Sequence, residues 1–145
     1  MQTASSPTIH LGAIEVQFLV NAEESHGAAT VFECLVPAGA KVPAPHSHDG
    51  FEETVYGLEG VLTFTVDGHG REIGPGDAMC IRRGQAHHFD NQGAAAAKFL
   101  SVATPGIFGP AYFEEIRDVL TASAGGPPNV AAIGAVMRRH GLTPA

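Results

Sequence analysis

Hydrophobic and polar positions change their period once along this chain, near residue 104. Before it, apolar residues come in short, often alternating runs that glycine or proline interrupts at close intervals. Period-two alternation marks a half-buried strand, because successive side chains leave opposite faces of the backbone. The pattern predicts strands at residues 8–11, 13–20, 28–36, 54–58, 61–66, 71–73, 78–81, 86–90 and 94–103. In the second, Ile14, Val16, Phe18 and Val20 share one face. In 61–66, Val61, Thr63 and Thr65 oppose Leu62, Phe64 and Val66. Asp67-Gly68 is a strong hairpin turn, and Pro75-Gly76-Asp77 and Asn91-Gln92-Gly93 are further turns. Residues 1–7 are polar and read as loose.

After Thr104-Pro105-Gly106 the period becomes helical. Tyr112, Phe113, Ile116, Val119 and Leu120 fall at i, i+3 and i+4 spacing, which predicts an amphipathic helix over 110–122 with Pro110 at its start. Gly125-Gly126-Pro127-Pro128 breaks it. Asn129 caps a second helix over 130–140, and Gly141 stops it. The division expected is an arm at 1–12, a β-barrel at 13–104 and a helical extension of the same domain at 105–145. Many short strands before two helices make the fold class all-β, a barrel or two-sheet sandwich with the helices outside.

Composition narrows the function. A chain of 145 residues is the size of one domain with its own core. Lys+Arg is 8 and Asp+Glu is 15, so the net charge is 8 − 15 = −7, which argues against a nucleic-acid or anionic-membrane partner. Arg82-Arg83 and Arg138-Arg139 are the only basic pairs, too small for a binding stripe. Cys34 and Cys80 each lie inside an apolar run and read as buried thiols. The first residues lack the basic and apolar regions of a signal peptide, and no apolar run approaches the ~20 residues of a membrane span. A soluble cytoplasmic protein is expected.

The chemistry concentrates between residues 45 and 53. His46 and His48 sit two apart, and Glu52 and Glu53 follow. Pro37, Pro43 and Pro45 keep this stretch from being helical, so both imidazoles leave an extended backbone on one face. Imidazole and carboxylate suit divalent first-row metals. With His87, these residues read as a metal centre inside the barrel. Alternation turns His88 to the opposite face, while His10, His26, His69 and His140 fall in turns or near the ends and read as solvated.

The same residues resemble the cupin family. Its first motif, G-x5-H-x-H-x(3,4)-E-x6-G, is met by His46, His48, Glu53 and Gly60, although six residues rather than five separate Gly39 from His46. Its second, G-x5-P-x-G-x2-H-x3-N, is met by Gly76, Gly84, His87 and Asn91, with Arg82 in place of the proline. The resemblance implies a double-stranded β-helix, or jelly roll, with His46, His48, Glu53 and His87 around one divalent transition metal. It selects Glu53 over Glu52 as the ligand. The phrase from Glu53 to Gly60, together with Thr104-Pro105-Gly106 and Tyr112-Phe113-Glu114-Glu115, is similar to the small quercetin-dioxygenase-like cupins. Three imidazoles and one carboxylate leave open positions on an octahedral ion, as a catalytic site requires. Iron or manganese is favoured, and nickel, zinc, cobalt or copper also suit the donors.

Three activities follow from that centre. The first is a dioxygenase acting on a small chelating organic substrate, with Glu53 as the base and with Phe51, Phe89 and Phe108 as candidate pocket walls. The second is a metal-dependent isomerase or lyase. The third is a cupin that binds a small ligand without turnover. The expected partner is a second copy of the chain in a homodimer.

Overall fold

The computed structural model describes residues 6–145; the loose reading of residues 1–5 lies outside the described residues. Eleven strands and two helices follow in the order β1 (Ile9–Leu11), β2 (Ile14–Val20), β3 (Thr30–Val36), β4 (His46–His48), β5 (Glu52–Glu59), β6 (Leu62–Val66), β7 (His69–Ile73), β8 (Ala78–Ile81), β9 (His87–Asp90), β10 (Ala97–Thr104), α1 (Pro110–Ala122), α2 (Val130–Arg139) and β11 (Leu142–Pro144). The strands form two sheets. One has six strands in the order β1-β2-β3-β10-β5-β8, and the other has five in the order β11-β4-β9-β6-β7. The recorded strand pairings are antiparallel, and the two sheets make the jelly roll that the motifs implied.

Alternation places the core between the sheets. Thr30, Phe32, Cys34 and Val36 of β3 are buried, as are Ala97, Phe99, Ser101 and Ala103 of β10. Phe18, Phe32, Phe108 and Phe113 pack ring against ring, so α1 lays its apolar stripe on the open side of the six-stranded sheet. Pro110 opens α1, and the Asn129 side chain accepts a hydrogen bond from the Ala132 amide at 3.1 Å to cap α2.

Four details depart from the expected pattern. The register shifts between Phe18 and Val20, so β2 buries Ile14, Val16 and Phe18 but leaves Val20 half-exposed. Cys80 is exposed rather than buried, because β8 turns Ile81 to the core and its neighbour Cys80 to the outer face opposite Thr54. Both thiols are free. His140 is half-buried against Tyr112 and Glu115 instead of solvated, because α2 packs beside α1. Residues 142–144, which carry no alternation long enough to notice, form an eleventh strand paired with β4.

Candidate metal centre

β4 and β9 are neighbouring strands of the smaller sheet, with His46 opposite His87. His48 leaves β4 on the same side as His46. The three rings close on one another, with centroids 5.1 Å apart for His46 and His48, 4.8 Å for His46 and His87, and 4.5 Å for His48 and His87. One nitrogen from each lies within 4.8 Å of the others. Glu53 enters from β5 in the opposite sheet. Its Oε1 stands 3.9 Å from Nε2 of His48 and 3.6 Å from Nε2 of His87, so the carboxylate adjoins two of the three imidazoles. His48, Glu53 and His87 are buried, while His46 is half-buried.

The hydrogen bonds around these rings prepare them as ligands. Nδ1 of His46 and the backbone carbonyl of Ala44 are 2.9 Å apart, and Nδ1 of His87 stands 2.9 Å from the carbonyl of Gln85. A carbonyl only accepts, so each Nδ1 carries the proton and each Nε2 keeps a lone pair. His48 has neither bond. Both of its nitrogens are buried with no partner among the described residues. A buried polar atom left unpaired costs roughly 1–3 kcal/mol, and a divalent cation shared with the other two lone pairs would remove that cost for one of the two nitrogens. Phe51 stacks on the His48 ring at 4.2 Å and 16°, and Phe108 stacks on Phe51 at 5.0 Å, which fixes the plane of the imidazole.

Burial drives the pKa of His46 and of His48 down to about 4, so both are neutral at pH 7, the form that binds metal. For His87 burial also pushes downward, but the adjacent Glu53 carboxylate outweighs it and raises the pKa. Burial pushes Glu53 upward, yet His87, His48 and the Ser101 hydroxyl together hold it at about 2. A cation that takes the lone pairs of His87 Nε2 and Glu53 Oε1 competes with protons for them. Ser101 Oγ donates to Glu53 Oε2 at 2.5 Å, which leaves Oε1 facing the histidines. No motif flags Ser101; its signal is a lone hydroxyl on the otherwise apolar inward face of β10.

The departure at Arg82 has a local reason. The Arg82 amide donates to Gln85 Oε1 at 2.9 Å, a bond that a proline at 82 lacks the hydrogen to make. Gln85 Nε2 donates in turn to Asp67 Oδ2 at 3.1 Å, and the Gln85 carbonyl holds His87. Glu52 turns outward, as expected. It accepts from Arg83 Nε at 2.6 Å and Nη2 at 2.7 Å, and this pairing holds its pKa at about 2. Gly84, at φ +82, donates its amide to the His48 carbonyl at 2.8 Å and so ties the loop before His87 to β4. Gly60 is also required: a Cβ there would lie 2.4 Å from the carbonyl oxygen of Ala96, at a φ of +62. Asn91 closes the turn after β9, with its Nδ2 donating to the carbonyls of Val36 and Ala95.

These residues open onto a cavity of about 70 Å³. Its walls include Phe64, Phe89 and Phe99 from the barrel, Phe108 from the link between β10 and α1, and Tyr112 and Ile116 from α1. Phe89 and Phe108 fulfil their expected place, and Phe51 lies behind His48 instead. Tyr112, Cys34 and Ile116 belong to the pocket without having been singled out for it. His88 stands outside the three-histidine group, 3.6 Å from Asp90, and contributes only to the lining. His10, His26 and His69 are exposed, although His10 and His69 lie on strands.

The model of the cupin domain matches residues 32–103, which span β3 to β10 and contain all four candidate ligands. The chain is a cupin. Quercetin 2,3-dioxygenase of Bacillus subtilis is 30% identical to it over 82 residues, covering 57% of this chain and 23% of that protein. The endoribonuclease YbeY of Myxococcus xanthus is 33% identical over 89 residues, covering 61% of this chain and 30% of that protein. This cupin therefore spans less than a third of either relative. A crystal structure from Thermotoga maritima, described as a predicted oxalate decarboxylase, is 28% identical with a TM-score of 0.60, covering 63% of this chain and 80% of that one. No helix among the described residues of this cupin is long and apolar enough to cross a membrane.

Proposed function

We propose that this cupin is a metal-dependent dioxygenase acting on a small chelating organic substrate. Its divalent ion, iron or manganese by preference, would be held by His46, His48, Glu53 and His87. The observation that carries the reading is the donor set. Two imidazoles are locked with Nε2 free, a third is buried with both nitrogens unpaired, and a carboxylate with one free oxygen stands beside two of them. A divalent ion there would supply Lewis-acid polarisation of a chelating substrate. The protein's own part is to orient and to move a proton. Glu53 Oε1 is the carboxylate oxygen that Ser101 leaves free, and when the ion does not engage it, it would take a hydroxyl proton from a bound enediol or enol. Ser101 keeps the carboxylate from turning, and the aromatic walls exclude water.

The cavity supports a narrow substrate class. At about 70 Å³ it is smaller than the roughly 150 Å³ space that holds benzene, so a compact enediol or diketone suits it better than a three-ring flavonol. Among the described residues no Lys, Arg, Asn or Gln lines it, so the substrate chelates with one end and is apolar at the other. The second reading is lyase chemistry, favoured by the likeness to the Thermotoga maritima structure. Oxalate carries charge at both ends, and the lining offers it no cationic side chain, which places this reading second. A purely ligand-binding cupin is the third.

Elemental analysis and oxygen uptake test the proposal together. We expect one equivalent of metal per chain, and O₂ consumption with small enediols or diketones. Glu53→Gln should cut turnover by about 10²–10⁴-fold, as loss of a general base does, while weakening metal binding far less. A metal-replete protein that takes up no O₂ with enediols, diketones or flavonols sinks the dioxygenase reading. Turnover without O₂ consumption would move the assignment to a lyase or isomerase.

A further inference from the structure

The strand that carries two of the four candidate ligands is weakly held by its own barrel. β4 is three residues long and meets β9 at a single register position, His46 opposite His87. Its other edge is covered along its whole length by β11, with Leu142 opposite His48, Thr143 opposite Ser47 and Pro144 opposite His46. The pairing extends past both ends. The Asp49 amide donates to the Gly141 carbonyl at 2.8 Å, and the Ala145 amide donates to the Pro45 carbonyl at 3.0 Å. Thr143 Oγ1 adds a bond to Asp49 Oδ1 at 2.7 Å.

Hydrogen-bonded and non-bonded pairs alternate along an antiparallel ladder. Bonds at 49/141 and 45/145 therefore make Ser47/Thr143 the bonded pair between them. Pro144 falls at a non-bonded position, where its missing N–H costs nothing. β11 is anchored in turn. Leu142 is fully buried, and Gly141, at φ +78, turns the chain out of α2 directly into the strand. Arg139 and His140 at the end of α2 both engage Glu115 of α1. The same α1 puts Tyr112 and Ile116 into the cavity wall. Residues 141–145 lie outside the matched cupin domain, which ends at 103.

We infer that residues 141–145 are a positioning element of the candidate metal centre, a strand added to the cupin barrel that fixes His46 and His48 at coordinating distance. The inference rests on the metal reading proposed above. Without β11, β4 keeps one register contact with β9 and the Gly84 amide on His48, which is too little to hold two imidazoles on one point. Residues that orient metal ligands from behind typically control affinity by 10–100-fold.

The test is cobalt(II) affinity of the full chain, measured by competition with a chelating dye, alongside thermal unfolding of the metal-free protein. Thr143→Pro removes the central ladder N–H; we expect it to weaken cobalt binding by about 10–100-fold. Ile73→Ala is the control, since it empties a buried site on β7 that touches neither β4 nor the cavity. It should lower the unfolding temperature at least as much and leave cobalt affinity unchanged. Thr143→Val keeps the ladder and should bind close to the wild type. Should Thr143→Pro not fold, Gly141→Ala strains the entry to β11 and is expected to weaken cobalt binding in the same direction. Wild-type affinity in Thr143→Pro, or in Gly141→Ala where that variant replaces it, overturns the inference. So does an equal loss of affinity in Ile73→Ala, because that would make the effect one of general stability. A wild-type chain that binds no cobalt sinks the metal reading itself, a different failure.

Discussion

At the scale of single residues, the centre depends on which nitrogen or oxygen is already engaged. Backbone carbonyls take Nδ1 of His46 and His87, and Ser101 takes Oε2 of Glu53. Each leaves one donor atom free. Ser101 is fully buried, and its bond is to an ionised acceptor, so Ser101→Ala is expected to destabilise the metal-free protein by roughly 1.5–3 kcal/mol, measured by denaturant unfolding. Much of what these residues do was legible beforehand. His46, His48, Glu53 and His87 announce themselves by spacing, and the structure gathers the three imidazoles while setting the carboxylate against two of them. Ser101 was not legible, because a serine in a strand is chemically ordinary until Glu53, 48 positions earlier, is placed opposite it.

Among the elements, strands with clear alternation appear close to where their pattern put them, and α1 coincides with its predicted span. The helix start at Asn129 follows from local chemistry alone. Its side chain satisfies the otherwise orphaned Ala132 amide. Asn129→Ala should therefore cost about 1 kcal/mol, read as a lower denaturation midpoint with an unchanged slope. The edges of strands were harder to read. β5 begins at Glu52, two residues before the predicted start, because Glu52 and Glu53 are paired with Thr104 and Ala103 of β10. β10 in turn begins at Ala97, three residues after its predicted start. Pairing partners set these limits, and a partner distant in sequence leaves no local trace.

On the scale of the whole molecule, the helices are fastened to each other by charge as well as by apolar packing. Arg139 and His140 hold the Glu115 carboxylate below its ordinary range. A carboxylate with a depressed pKa stabilises the fold above its unfolded pKa, near 4.3, and loses that contribution as pH falls through the lower folded value. Glu115→Gln should consequently be less stable than wild type at neutral pH, with the gap closing as the pH drops below about 4. Paired thermal melts between pH 3 and 7 measure it. A gap that stayed constant across that range would mean that the pair contributes nothing through charge.

The division between sequence and tertiary structure follows from the range of the forces involved. Period, turn chemistry and the requirement for glycine at positive φ act within a few residues, so strand content, the hairpin at Asp67-Gly68, the helix over 110–122 and the ligand spacing are written in the chain itself. His46 and His48 draw notice for the same reason, since two histidines on one strand face need no distant partner, whereas Glu53 and His87 were marked by the resemblance to the cupin motifs. The three-dimensional packing decided the rest. It turned Cys80 outward, drew His140 against α1, set Ser101 behind Glu53 and closed the cavity with Tyr112 and Ile116. Above all, it laid Leu142–Pro144 along His46–His48. Three residues gain a role there only because a second edge, almost a hundred positions away, has backbone groups left to pair.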